Sequence, residues 1–225
     1  FQHNVETMIW ERLRDTAGDP LRRLAFQYEA ARMLAYERSV CRSARHVVAV
    51  SEEDASRMRS RFGVTRISSV PTGVDIDYFT PPPDASTVAD LVFVGSMNWM
   101  PNIDGVTYFS QEILPLILAR KPACRVAIVG RTPPPSITRL AEIHPNLSVT
   151  GSVPDIRPYL WGATACIVPL RVGGGTRLKI YEAMAARIPV VSTSVGAEGL
   201  PVSDGEDIIL ADDPRRFADA CLDLL

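Results

Sequence analysis

In the stretch VPLRVGGGTRLKIYEAMAARIPVVSTSVG, Gly173, Gly174 and Gly175 stand between an apolar run and a helical pattern that opens at Thr176-Arg177. Glycine admits positive φ and close approach of a ligand to the backbone, and a helix start offers N–H groups to an anion. The pattern therefore suits a phosphate cradle, and equally a plain turn into a helix. Neither GxxxxGKS/T nor GxGxxG is present. Arg177 falls in the expected first helical turn, where the dipole disfavours a cation unless an anion compensates. Arg171 and Lys179 flank it as further cations. Glu182, on the same helix, could accept two hydroxyl protons, as from a ribose, or could pair with Lys179 one turn away.

Further candidates follow apolar runs: Gly95 and Ser96 after DLVFV, Gly130 and Arg131 after CRVAIV, Gly151, Ser152 and Val153 after LSVT, and Thr193 to Leu200 after PVVS. Arg131 could meet an anion or belong to a rigid GRTPPPS loop. The backbone from Gly151 to Val153 could meet a base, and Glu198 could make a polar contact. Their shared feature is position, because open parallel sheets bind ligands beyond the carboxyl ends of their strands. His3, His46 and His144 lack ligand spacing, so no metal site is expected. Cys41, Cys124, Cys166 and Cys221 are scattered without a CxxC pair and read as buried thiols of a reducing compartment.

Such residues need a scaffold to converge. Leu21, Leu24, Tyr28, Ala31, Leu34 and Ala35 recur at three- and four-residue intervals, which predicts an amphipathic helix over 21–46. HVVAV reads as a strand whose following Ser51 caps the next helix, and ISSV as a second strand. The proline-punctuated PTGVDIDYFTPPPDAST reads as an interdomain linker. After it, about six short β-branched runs alternate with helical patterns, including one over 102–118 and another over 136–143. That alternation means a parallel sheet covered on both faces, an α/β fold.

With 225 residues, 46% apolar and 22% charged, the composition is that of an ordinary globular chain. Its 24 basic and 26 acidic residues leave a net charge of -2, which gives no footprint for nucleic acid. No run approaches the roughly 18 apolar residues of a membrane-spanning helix. The opening FQHNVET suggests a piece of something longer.

Taken in order, VPTGVDIDYFTP, LVFVGSMNWMPNIDGVTYF, VTGSVPDIRPYLWGA and VPLRVGGGTRLKIYEAMAARIPVVSTSVGAEGL resemble the retaining glycosyltransferases of family 4 (group 1). FQHNVE resembles the His-containing loop late in their first domain. A narrower resemblance is to the sugar transferases associated with PEP-CTERM/exosortase exopolysaccharide systems. The resemblance implies the GT-B fold of two Rossmann-like domains. Residues 1–80 would be the end of the acceptor-side domain plus linker, and 81–225 the donor domain lacking its last helices. It implies a hexosyltransferase acting from a nucleoside-diphosphate sugar, with retention, on a glycan or lipid-linked acceptor in exopolysaccharide or cell-surface glycan synthesis. No cofactor or metal beyond the nucleotide-sugar would be needed, and the place would be cytoplasmic, with peripheral attachment at the inner membrane face for the full-length protein.

Carried over residue by residue, Glu182 would hold the donor ribose, and Gly173, Gly174, Gly175 and Thr176 would meet the transferred sugar and diphosphate. Ser152 and Val153 would meet the base, Gly95, Ser96, Arg131 and Lys179 would complete the donor site, and His3 would lie near the anomeric centre. Two departures stand out. The first glutamate of the family's E-x7-E pair falls on Gly174, and the Arg and Lys that usually follow the first strand of the second domain are missing from GSMNWMPN. Arg177, with Lys179 or Arg131, becomes the candidate for neutralising the diphosphate. A dinucleotide oxidoreductase is disfavoured by the missing GxGxxG. A non-catalytic nucleotide-binding or protein-interaction fragment on the same scaffold is the alternative.

Overall fold

Six short apolar runs form strands, and the four central ones are buried along nearly their whole length, the pattern of strands covered by helices on both faces, while the two edge runs, Leu147–Val149 and Ile209–Leu210, are partly exposed. The six are β3 (Ala89–Val94), β4 (Val126–Val129), β5 (Leu147–Val149), β6 (Ala163–Val168), β7 (Val190–Ser192) and β8 (Ile209–Leu210). In the computed structural model, which describes residues 4–225, they form one sheet in the order β5-β4-β3-β6-β7-β8, with every pairing parallel. The chain runs outward from β3 to β5 and returns to β6 on the other side of β3. That reversal is a topological switch point, where a crevice opens beyond the carboxyl ends of the strands.

The chain divides into two units. One reaches to Gly73 and takes in Arg171–Arg177 and Glu198–Pro201; the other comprises Val74–Leu170, Leu178–Ala197 and Val202–Leu225. The division lies within the proline-rich stretch, whose second half belongs to the sheet unit. There α4 (Ile76–Phe79) is held because Trp161 Nε1 donates to the Phe79 carbonyl (2.7 Å) and Arg157 stacks 3.8 Å over the Tyr78 ring.

Helices of the sheet unit follow the expected pattern with local differences. The stretch expected as one helix over 102–118 is α5 (Met100–Tyr108), a π-helical turn (Phe109–Ile113) and α6 (Leu114–Arg120). The remaining helices are α7 (Pro135–Ile143), α8 (Arg157–Trp161), α9 (Leu178–Ala185), α10 (Ser194–Ala197) and α11 (Pro214–Leu224). α9 starts one residue after Arg177, so this side chain precedes the helix and does not lie in its first turn. α10 is a single short helical turn directly after β7.

The first unit contains α1 (Glu6–Thr16), α2 (Pro20–Ser43), β1 (Val47–Ala49), α3 (Glu52–Phe62) and β2 (Ile67–Ser69), with β1 and β2 parallel. Ser51 caps α3, as its position predicts, through a 3.0 Å bond from Asp54 N to its hydroxyl. α2 corrects a different expectation. Its periodic residues Leu21, Leu24 and Tyr28 are 76%, 65% and 64% exposed, and the helix packs instead through Ala30, Glu37 and Cys41. The reason is Glu37, whose carboxylate accepts from the Glu6 and Thr7 amides at 2.8 and 3.0 Å and so caps α1, turning the other face of α2 outward.

Candidate functional site

A cleft of about 540 Å³ opens at the carboxyl ends of β3, β4 and β5, within the size range of small-molecule sites. Gly95 and Ser96 line it after β3, Gly130 and Arg131 after β4, Ser152, Val153 and Ile156 after β5, and Glu182 from α9. The loops after β3 and β4 are tied together. Gly95 N donates to the Val129 carbonyl and Met97 N to the Arg131 carbonyl, both at 2.9 Å, and Arg131 Nε donates to Ser96 Oγ at 3.0 Å. A side chain at Gly130 would overlap the Gly95 carbonyl, so only glycine lets the two strand ends approach this closely. Gly151, with φ of 70°, turns the chain after β5 and brings Ser152 and Val153 onto the rim.

Glu182 is half-buried in this cleft. Burial pushes its carboxyl above the usual range, and the nearby Lys179 ammonium offsets that in part. Lys179 Nζ donates to Asn102 Oδ1 at 2.8 Å and lies 4.1 Å above the Phe93 ring centre. An acceptor-only carboxylate beside strand-end backbone and two cations, Lys179 and Arg131, has the equipment for a ligand carrying both hydroxyls and an anionic group.

The glycine loop belongs to the first unit. Gly173 and Gly175 take φ of 153° and 73°, so two of the three glycines are required by conformation. Space is tight at Gly174, since a Cβ there would lie 3.2 Å from the Val5 carbonyl oxygen. Arg177, 3% exposed, turns back on the loop and donates through Nη1 to the carbonyls of Gly174 and Gly175, the latter at 2.6 Å. Burial, and then repulsion from Arg12, lower its pKa to about 10 against the attraction of Glu198 and Asp54, so it is cationic at neutral pH. Arg12 donates to the Gly173 carbonyl and to Glu198 Oε1 (2.7 Å), which Arg57 also reaches at 2.8 Å. Burial raises the Glu198 carboxyl, but the two arginines outweigh it and hold the group ionised below its usual range.

Of the residues singled out from sequence, Gly95, Ser96, Arg131, Ser152, Val153 and Glu182 share the cleft, with Lys179 beside Gly95. Gly173, Gly174, Gly175, Thr176 and Arg177 gather in the first unit around Arg12 and Glu198. His3 lies outside the described residues. Sequence reasoning missed Asn102 and Arg12, because a buried amide in an apolar helix and an arginine in a charged one carry no local signal. The four cysteines are free and buried; burial raises Cys124 to about 11 and Cys166 to about 12.

A family model described as glycosyl transferases group 1 matches residues 89–225, and one described as Glycosyltransferase Family 4 matches residues 19–78. An uncharacterized 44.6 kDa protein in the cps region of Klebsiella pneumoniae is 22% identical over 96% of this chain and 56% of its own length. D-inositol 3-phosphate glycosyltransferase 2 of Catenulispora acidiphila is 26% identical over 88% of this chain and 52% of its own. The chain thus spans about half the length of these curated relatives. Among solved structures, Staphylococcus aureus TarM in complex with Fondaparinux, alpha-GlcNAc-glycerol and UDP superposes with a TM-score of 0.69 at 18% identity, over 86% of this chain and 39% of that one. This last likeness supports the GT-B fold.

Proposed function

We infer that this chain, which belongs to the glycosyl transferases of group 1, binds a nucleoside-diphosphate sugar in the cleft beyond β3, β4 and β5. Within the whole protein, the sugar passes with retention to a glycan or lipid-linked acceptor in exopolysaccharide or cell-surface glycan synthesis. The observation that carries the reading is the convergence of Glu182 with the strand-end residues Gly95, Ser96, Arg131, Ser152 and Val153 in one cleft. UDP in the structural relative and the cps-region origin of one sequence relative support it.

In this reading Glu182 accepts the ribose hydroxyls, and Ser152 and Val153 present backbone and side chain to the base. The backbone of Gly173, Gly174, Gly175 and Thr176 serves the sugar and diphosphate, and Arg177 acts through the loop conformation it holds. His3 is assigned to the acceptor side. As the anomeric C–O bond breaks, negative charge gathers on the departing diphosphate, and preorganised N–H groups and protein cations favour that state without calling on a metal. The place proposed is the cytoplasm, with the whole protein attached peripherally to the inner membrane face.

A hydrolysis and transfer screen with UDP-, GDP- and ADP-sugars, paired with calorimetric titration of the free diphosphates, tests the reading. One base class is expected to bind and turn over. Absence of binding by every diphosphate would overturn it, and binding without turnover on the whole protein would favour a non-catalytic nucleotide-binding domain.

A further inference from the structure

GSMNWMPN, which follows the first strand of this sheet, carries no basic residue, yet an ammonium stands at that strand end. Lys179 reaches it from α9. A Cβ built on Gly95 would lie 2.7 Å from Lys179 Nζ and 2.7 Å from Asn102 Nδ2, so the ammonium and the amide rest against the backbone of a residue that lines the cleft. Asn102 is 2% exposed and bonded at both ends. Its Oδ1 accepts from Lys179 at 2.8 Å, and its Nδ2 donates to the Ser96 carbonyl at 2.8 Å. Because an ammonium only donates, the oxygen of the amide must face Lys179, and the nitrogen is thereby aimed at Ser96. Phe93 closes the third side, with its ring 4.1 Å from Nζ.

We propose that Lys179 is the diphosphate-compensating cation of this cleft, fixed at the end of β3 by Asn102, which is its positioning residue. The proposal rests on the nucleotide-sugar reading above and specifies which side chain carries the counter-charge. Arg177 is engaged with the carbonyls of Gly174 and Gly175. Arg131 is exposed and held by a surface serine. Lys179, in contrast, has its position set by a buried amide and an aromatic face before any ligand arrives, the preorganisation that an electrostatic contact needs.

The experiment is calorimetric titration of the chain with UDP, GDP and ADP and with the matching nucleosides, for the wild type, K179M and N102D. K179M removes the charge, and N102D keeps the volume while setting a carboxylate against the ammonium. Both variants are expected to weaken diphosphate binding by about tenfold or more while nucleoside affinity stays within about twofold, since a charge-assisted bond to phosphate is lost and the base contacts are not. Nucleoside affinity also reports an intact cleft. Unchanged diphosphate affinity would overturn the proposal, as would an equal fall for nucleoside and diphosphate, which is the signature of a merely structural role. Failure of every diphosphate to bind the wild type would instead sink the nucleotide-sugar reading itself.

Discussion

Glu182 shows how one residue sets both a function and its cost. Its carboxyl is raised first by burial and is relieved only in part by Lys179. A group whose folded pKa lies above its unfolded value favours the folded state in acid, and that contribution is lost as pH rises through the folded pKa. Above that pH, the ionised Glu182 weakens the fold while, in the function proposed above, it provides the acceptor oxygens for the ribose hydroxyls. E182Q is therefore expected to raise the urea midpoint at pH 7.5 and yet lower nucleoside diphosphate affinity by about tenfold. Affinity of the wild type should fall on acidification with a midpoint above that of an ordinary glutamate, and the E182Q profile should be flat over the same range. A matching acid limb in both proteins, read by titration calorimetry between about pH 4.5 and 8, from the ordinary glutamate pKa to above that of histidine, would assign the effect to another group.

Gly174 illustrates the same scale from the side of shape. The carboxylate that the family resemblance implies at this position would be crowded at its base, because a Cβ there would lie 3.2 Å from Val5 O. The approach of the start of α1 to the loop thus favours a small residue here. Its departure from the family pattern was plain in the sequence, but its cause was not.

At the scale of elements, α1 and α2 form a pair in which one helix is capped by the other. Val5, the N-cap of α1, supplies no side-chain bond, and Glu37 of α2 takes the Glu6 and Thr7 amides instead. E37A leaves those buried donors without an acceptor and is expected to cost about 1–3 kcal/mol in urea unfolding. A loss below about 0.5 kcal/mol would show that solvent replaces the cap. This partnership also explains why α2 was misread in orientation. Period-3.6 spacing of Leu21, Leu24 and Tyr28 correctly signals a helix, but the buried face is decided by a carboxylate that periodicity counts as polar. By contrast, the Ser51 cap of α3 was legible, because its partner Asp54 N lies three residues away. Local bonds leave a sequence signature and bonds across 31 positions do not.

On the scale of the whole molecule, the chain does not assign its residues to units in order. It leaves the first unit after Gly73, and Arg171–Arg177 and Glu198–Pro201 return to it. The exposed stripe of α2 belongs to the same unit. With Leu21 and Leu24 at 76% and 65% exposure, the double change L21S/L24S is expected to leave the unfolding free energy of this chain within about 0.5 kcal/mol, measured by urea denaturation. A loss of several kcal/mol would mean that this face is covered in solution. Among the described residues, no helix is long and apolar enough to cross a membrane.

The sequence by itself determined the parallel α/β architecture, the six strands of the sheet unit and the identity of the strand-end residues, because strand burial and turn chemistry are written in neighbouring positions. It also placed a glycine run between an apolar run and a helical pattern, without deciding between an anion loop and a turn; the positive φ of Gly173 and Gly175 belongs to the structure. Only the tertiary structure decided which residues meet. It set Arg177 on the carbonyls of its own loop, placed Lys179 beside Gly95 under the hold of Asn102, and gave Glu198 two arginine partners. Those outcomes depend on side chains separated by tens of residues competing for the same few polar atoms. Such a competition is settled by distance and burial, neither of which a linear pattern contains.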